Sequence, residues 1–289
     1  MADLILLDHF ADLAGRYELA LCDVWGVIHN GQESFPAACD ALTRFQAAGG
    51  LVVLISNAPR PATAVLGQLD SLNVPRSAWS GFVTSGDATR LALAKRAPGP
   101  VWLIGPPRDL TLLEGLQIEL ADRPEDARLI VCTGLFDDEC EAPEDYRARL
   151  SICAGLNLEM VCANPDRVVQ RGHRLIYCAG ALADLYETLG GRVMMAGKPH
   201  TPIYEAAFRA AETLMGRPAD RSRTLAIGDG MQTDVLGASN QGLDLLFVAA
   251  GIHATEVIGP DGRIDAERIE AALAQVGATA RYATGALAW

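Results

Sequence analysis

Four clusters in this chain hold residue types that can do chemistry together. The apolar run Leu19-Ala20-Leu21-Cys22 ends abruptly in a carboxylate, Asp23. Leu51 to Ile55 is followed by Ser56-Asn57, and Ala196-Gly197 by Lys198-Pro199. Ala226-Ile227-Gly228 runs into Asp229-Gly230-Met231-Gln232-Thr233-Asp234. An ionised Asp23 is a nucleophile. Asp23 and Asp229, each ending an apolar run, suit a hard divalent cation such as Mg²⁺, which takes oxygen ligands. Lys198 would offset the acids and hold an anionic oxygen, and the Ser56 hydroxyl can donate to the same group. With a cation bound, Asp23 can approach a phosphoryl group, attack phosphorus and form an aspartyl-phosphate that water later hydrolyses. Taken singly, each cluster reads as an ordinary turn or helix cap. The third glycine of a dinucleotide-binding loop is replaced by Thr233 in "GDGMQTD", and Asp229 would repel a pyrophosphate.

The elements that must carry these residues alternate between strands and helices. Tyr17 to Cys22 reads as a strand, Pro36 to Ala48 as a helix with proline in its first turn, and Leu51 to Ile55 as a buried strand. Pro61 to Leu72 is helical. Thr201 to Met215 is an amphipathic helix with Ile203, Ala207, Ala210, Ala211 and Leu214 on one stripe. Thr224 to Ile227 and Asp244 to Val248 are strands. This alternation predicts an α/β fold, a parallel sheet with helices on both faces. Ligands of such sheets bind outside the carboxyl ends of the strands, where three of the four clusters leave theirs. The middle of the chain has its own rhythm: strands at Val101 to Ile104, Leu129 to Cys132, Leu158 to Cys162 and Leu175 to Cys178, with helices near 85–96, 143–155 and 180–189. A second α/β unit over 81–193 is therefore expected, inserted into an outer unit of 1–80 and 194–289.

Composition narrows the partners. The 289 residues carry 24 Lys plus Arg and 36 Asp plus Glu, a formal net charge of -12. Such a chain repels a polyphosphate backbone, so no nucleic-acid partner is expected, and any phosphate site must be built locally. No apolar run reaches the ~20 residues that span a bilayer, and the first residues carry acids where a secretory signal needs basic ones. Seven cysteines sit mostly in apolar runs without a C-x-x-C pair, as expected of buried reduced thiols. A soluble cytoplasmic protein is expected.

Read together and in order, the clusters resemble the haloacid dehalogenase (HAD) superfamily, in its class with a large α/β cap inserted between the second and third motifs, similar to the NagD-type and para-nitrophenyl-phosphatase-like hydrolases. Asp23 matches the nucleophile, Ser56 the second motif with Asn57 following, Lys198 in "GKP" the third, and Asp229 and Asp234 the fourth. Asn164-Pro165-Asp166 matches an "NPD" of this cap class, and "CAGALADLYE" is similar too. The resemblance spans nearly the whole chain. It implies a Rossmann-like doubly wound core, a cap that selects the substrate, Mg²⁺ dependence and hydrolysis of a small phosphorylated metabolite. It also implies Asp23, Asp229, Asp234 and the Trp25 backbone carbonyl as the metal's neighbours, Asn57, Asn164 and Asp166 on the substrate side, and an exposed cap surface that often joins homo-oligomers. Arg60, just past Ser56-Asn57, is a candidate for a substrate anion.

The chain departs from this pattern at Trp25. Relatives usually carry there an aspartate that protonates the leaving oxygen and then activates water. Indole has an N–H donor and no useful pKa, and losing a positioned acid/base costs about 10²- to 10⁴-fold in rate. His29, His200 and Asp234 are the candidates to supply the proton. Dehalogenases of the superfamily carry an aromatic residue at this position, so attack of Asp23 on carbon is the alternative chemistry. A protein that binds phosphate ligands with little turnover is the third reading.

Overall fold

The computed structural model describes residues 4–96, 99–171 and 174–289. They fold as two compact units. One comprises the described residues up to Ser56, Leu66–Val83 and Lys198–Trp289; the other comprises Asn57–Val65 and the described part of Thr84–Gly197.

Among the described residues, the first unit's sheet has seven strands, in the order Ile5–Leu6, Tyr282–Thr284, Asp244–Val248, Thr224–Gly228, Leu19–Asp23, Leu51–Ser56, Gly81–Thr84. Leu19–Asp23 is buried along its whole length, as expected of a parallel strand covered on both faces. Ala20, Cys22, Val52, Leu54, Leu225 and Ile227 pack with Leu42 and Phe45 of the helix Pro36–Ala47. Burying one such Leu or Phe contributes about 1.5–3 kcal/mol, so the position of Leu19–Asp23 is fixed by packing rather than by the site itself. The strand runs parallel to Leu51–Ser56 on one side, with Asp23 opposite Ile55, and to Thr224–Gly228 on the other, with Cys22 opposite Ile227. The chain thus winds outward in opposite directions from Leu19–Asp23 and Thr224–Gly228. This is the switch point where a parallel sheet opens a crevice at its carboxyl edge.

The helix Thr201–Met215 forms as its stripe predicts and ends at Gly216, whose φ of 66° places it in the left-handed region that closes a helix without a Cβ penalty. Its buried face is Ile203, Tyr204, Ala207, Phe208 and Ala211. Leu214 is exposed, so the expected stripe is corrected at its C-terminal end. Tyr204 and Phe208, which the expected stripe does not include, are buried beside Ala207 and Ala211.

The second unit has a parallel sheet in the order Arg192–Met195, Glu159–Cys162, Leu129–Cys132, Val101–Ile104. The helices Ser85–Arg96, Arg147–Gly155 and Ala179–Thr188 accompany it. Leu175 to Cys178, expected as a strand of this sheet, instead falls largely in the antiparallel pair Val168–Arg171 and Arg174–Tyr177, with Cys178 just past it. Ile176 is buried while Leu175 and Tyr177 are exposed. That alternation is the mark of a strand with one solvated face, and the run of apolar letters concealed it. The sequence placed 57–65 with the outer unit. In the structure this segment is bonded into the second: Thr84 Oγ1 donates to the Arg60 carbonyl at 2.8 Å, Gly86 N–H to the Ala58 carbonyl at 3.0 Å, and Ala62 N–H to the Asp87 carboxylate.

Six cysteines are buried and Cys140 is exposed; all seven are free thiols. No described helix is long and apolar enough to cross a membrane.

Candidate active site

At the switch point the end of Leu19–Asp23 meets three other charged side chains. Lys198 Nζ donates to Asp23 Oδ1 at 2.5 Å and to Asp234 Oδ1 at 2.7 Å. Asp229, the first residue past Thr224–Gly228, completes a group of three buried carboxylates with oxygens within 4.8 Å of one another. Asp234 lies in a π-helical turn, Met231–Val235, and its Oδ2 also accepts the Gly230 N–H at 3.0 Å. Lys198 is buried with them.

Three carboxylates facing one ammonium leave an excess of negative charge on buried side chains, where solvent screens poorly. Burial pushes the Asp23 carboxyl well above the usual carboxylate range, and the neighbouring Asp234 charge adds to this. Burial, again with Asp234, pushes Asp229 up to about 7. A group of oxygen donors short of positive charge fits a hard divalent cation, which would favour the ionised forms of Asp23 and Asp229. The backbone is shaped to the same end. A Cβ at Gly26 would sit 2.2 Å from Asp229 Oδ2, and one at Gly251 would sit 1.9 Å from the same oxygen. The Trp25–Gly26 peptide therefore runs against the Asp229 carboxylate, beside the carbonyl singled out from the sequence. Ser56, buried, ends the adjacent strand one residue beyond the partner of Asp23.

Trp25 and His29 form a separate small cluster. The Trp25 indole stands edge-on to the His29 imidazole with ring centres 5.0 Å apart. Its six-membered ring also lies over Gly31, where a Cβ would come within 2.6 Å of Cζ2. Gly31 has φ of 84°, so glycine is required twice over. Buried His29 accepts the Gly31 N–H on Nδ1 at 3.0 Å, and burial lowers its pKa to about 4. It is a neutral structural imidazole near pH 7 rather than a proton donor. Asp234 is engaged by Lys198 and Gly230, and His200 is exposed just ahead of the helix Thr201–Met215.

In the second unit, Asn57 Nδ2 donates to Asp166 Oδ1 at 2.8 Å, and Asn164 Oδ1 accepts the Asp166 N–H at 3.0 Å. Three of the residues singled out from the sequence thus form one hydrogen-bonded group at the carboxyl end of Glu159–Cys162. Arg60 Nε is 3.6 Å from Oδ1 of the buried Asp109.

Sequence reasoning missed the segment Gly251–His253. Ile252 N–H donates to Asp229 Oδ2 at 2.8 Å, and His253 Nε2 accepts the Met231 N–H at 3.4 Å. The available signal was its place just past the strand Asp244–Val248, at the same sheet edge as Asp23 and Asp229.

A nucleophile-type carboxylate and its lysine at the switch point of a parallel sheet define a class of hydrolytic α/β enzymes, and comparison with known proteins fits this. Residues 20–119 match the family described as haloacid dehalogenase-like hydrolase, and 195–272 match one described as HAD-hydrolase-like. A solved hydrolase of the haloacid dehalogenase-like family from Brucella suis is 46% identical, with 97% of this chain and 99% of that one covered and a TM-score of 0.87. The 5′-nucleotidase YutF of Bacillus subtilis is 25% identical over 85% of this chain and 92% of its own length. The ribonucleotide monophosphatase NagD of Escherichia coli is 24% identical over 82% and 90%. The chain belongs to the haloacid dehalogenase-like hydrolase family.

Proposed function

We propose that the protein is a divalent-cation-dependent phosphomonoesterase of small phosphorylated metabolites, with Mg²⁺ the expected cation and the cytoplasm the expected location. The observation that carries this reading is the buried cluster of Asp23, Asp229 and Asp234 around a single ammonium, Lys198. An Asp23 carboxylate oxygen attacks phosphorus as the P–O bond to the leaving group breaks, and water then attacks the aspartyl-phosphate at phosphorus to release inorganic phosphate and free Asp23, while Lys198 and Ser56 stabilise the phosphoryl oxygens. Asp23, Asp229, Asp234 and the Trp25 carbonyl would hold the cation, which would supply positive charge to offset the negative charge developing on the phosphoryl oxygens. Asn57, Asn164, Asp166 and Arg60 of the second unit are the proposed substrate-binding residues, and that unit is the proposed substrate-selecting cap. The nucleotidase and monophosphatase activities in the relatives' names support phosphate over carbon chemistry. Trp25 holds no proton at a useful pKa and His29 is neutral and engaged. The substrates therefore have leaving groups that depart without a proton, such as aryl or acyl phosphates.

The test is phosphate release from a panel of aryl, acyl and alkyl phosphates, with Mg²⁺ and after chelation, in wild type and Asp23→Asn. Cation-dependent release that disappears in Asp23→Asn is expected. Halide release from haloacids without added cation would overturn the reading in favour of attack on carbon.

A further inference from the structure

The loop after the strand Asp244–Val248 grips the acidic turn at two points on either side of Gly230. One grip is on a side chain: Ile252 N–H holds Asp229 Oδ2 at 2.8 Å. The other is on the backbone, where Met231 N–H is received by His253 Nε2 at 3.4 Å. The imidazole is held from its far side too, with Nδ1 lying 3.3 Å from Glu256 Oε2. A backbone donor on one ring nitrogen and a carboxylate on the other assign the proton to Nδ1 and the lone pair to Nε2. His253 precedes the short helix Ala254–Val257, yet its side chain makes no cap hydrogen bond there. The ring reaches across to the Met231 turn instead. Since Asp229 Oδ2 is committed to Ile252, the aim of the remaining oxygen depends on the path of the turn, which His253 anchors two residues downstream.

We propose that His253 is a positioning residue for the cation site, fixing the Asp229–Met231 turn so that the second Asp229 oxygen stays within reach of Asp23 and Asp234. The proposal rests on reading the three acids as a cation site. Partners that orient metal ligands are typically worth about 10- to 100-fold in affinity. The experiment measures Mg²⁺ affinity by calorimetry for wild type, His253→Ala and His253→Gln. It also follows amide hydrogen exchange at Met231 and the melting temperature in the metal-free proteins. His253→Ala is expected to bind Mg²⁺ about tenfold more weakly, with faster exchange at Met231 and an unchanged melting temperature. His253→Gln, whose side-chain carbonyl can accept the same N–H, should recover most of the affinity. Wild-type affinity and exchange in His253→Ala would overturn the proposal, as would equal losses in both variants with a lowered melting temperature. A wild type that binds no divalent cation would overturn the cation-site reading itself.

Discussion

Lys198 Nζ lies 2.5 Å from Asp23 Oδ1, and both groups are buried. Asp23, the proposed nucleophile, is therefore paired with the ammonium that opposes the rise of its pKa, and Lys198 is the only ammonium or guanidinium that touches Asp23 or Asp234 among the described residues. Removing it strands buried carboxylates. Breaking a buried pair from one side costs about 3–5 kcal/mol, so Lys198→Met should lose stability of that order at pH 8. The sign with pH follows from the raised carboxyls. Lys198 lowers the pKa of Asp23 and Asp229, so its loss raises them further, and a native state holding more protons than the unfolded chain gains stability as pH falls. Urea unfolding of Lys198→Met should thus show a smaller deficit at pH 5.5 than at pH 8. Equal deficits at the two pH values would contradict this account of the cluster.

The same electrostatics govern cation binding. With Asp229 raised to about 7, chiefly by burial and then by Asp234, a cation arriving below neutrality must displace a proton. Apparent Mg²⁺ affinity should weaken by about tenfold per pH unit below pH 7 for each proton displaced. Calorimetry in buffers of different ionisation heat checks this directly. At least one proton should be released per ion at pH 6, with release declining by pH 8. Affinity that is flat across this range would show that Asp229 is already ionised without the cation.

The parts of this site visible in the sequence are those set by strand ends. Asp23, Ser56 and Asp229 follow apolar runs whose burial fixes the sheet, so their convergence could be argued from topology. Lys198 became legible through the resemblance and its place in the chain order. His253 was hidden because its contact is to a backbone N–H, which leaves no trace in residue type. The environment of His29 was hidden for a related reason. "VIHNG" looks like a polar turn, but the ring is packed beneath Trp25 and bonded to Gly31. The pairing of Val168–Arg171 with Arg174–Tyr177 escaped notice because a short apolar run does not reveal whether one or both faces are covered.

His29 gives an independent handle on folding. Its pKa falls from the ordinary 6.5 to about 4 in the native state through burial. The unfolded chain therefore takes up a proton that the native protein refuses over this window. The contribution to stability is intact above pH 6.5 and is lost as pH falls toward 4, up to about 3 kcal/mol. His29→Gln removes this titration while keeping an acceptor for the Gly31 N–H. The stability of wild type relative to His29→Gln should drop between pH 7 and pH 4.5. Parallel pH profiles for the two proteins would mean that His29 is not the neutral, buried group described here.

Trp25 places the strongest constraint on the reaction. Its indole is pinned against His29 and Gly31, and neither it nor neutral His29 can hand a proton to a departing alkoxide near pH 7. If the substrate must supply its own leaving ability, kcat/KM should fall steeply as the leaving group's pKa rises. Aryl phosphates should then exceed alkyl phosphates by about 10²- to 10⁴-fold, the usual worth of a positioned acid/base. Trp25→Asp should narrow that gap by raising alkyl rates, since a carboxyl two residues past the nucleophile can protonate the leaving oxygen. Trp25→Ala, which removes the same bulk without adding an acid, should leave the gap as it was, separating proton transfer from steric relief. The measurement is a series of kcat/KM values over leaving groups of graded pKa for the three proteins. A shallow dependence in the wild type, with alkyl and aryl esters turned over at comparable rates, would mean that another group donates the proton and that Trp25 serves the substrate in some other way.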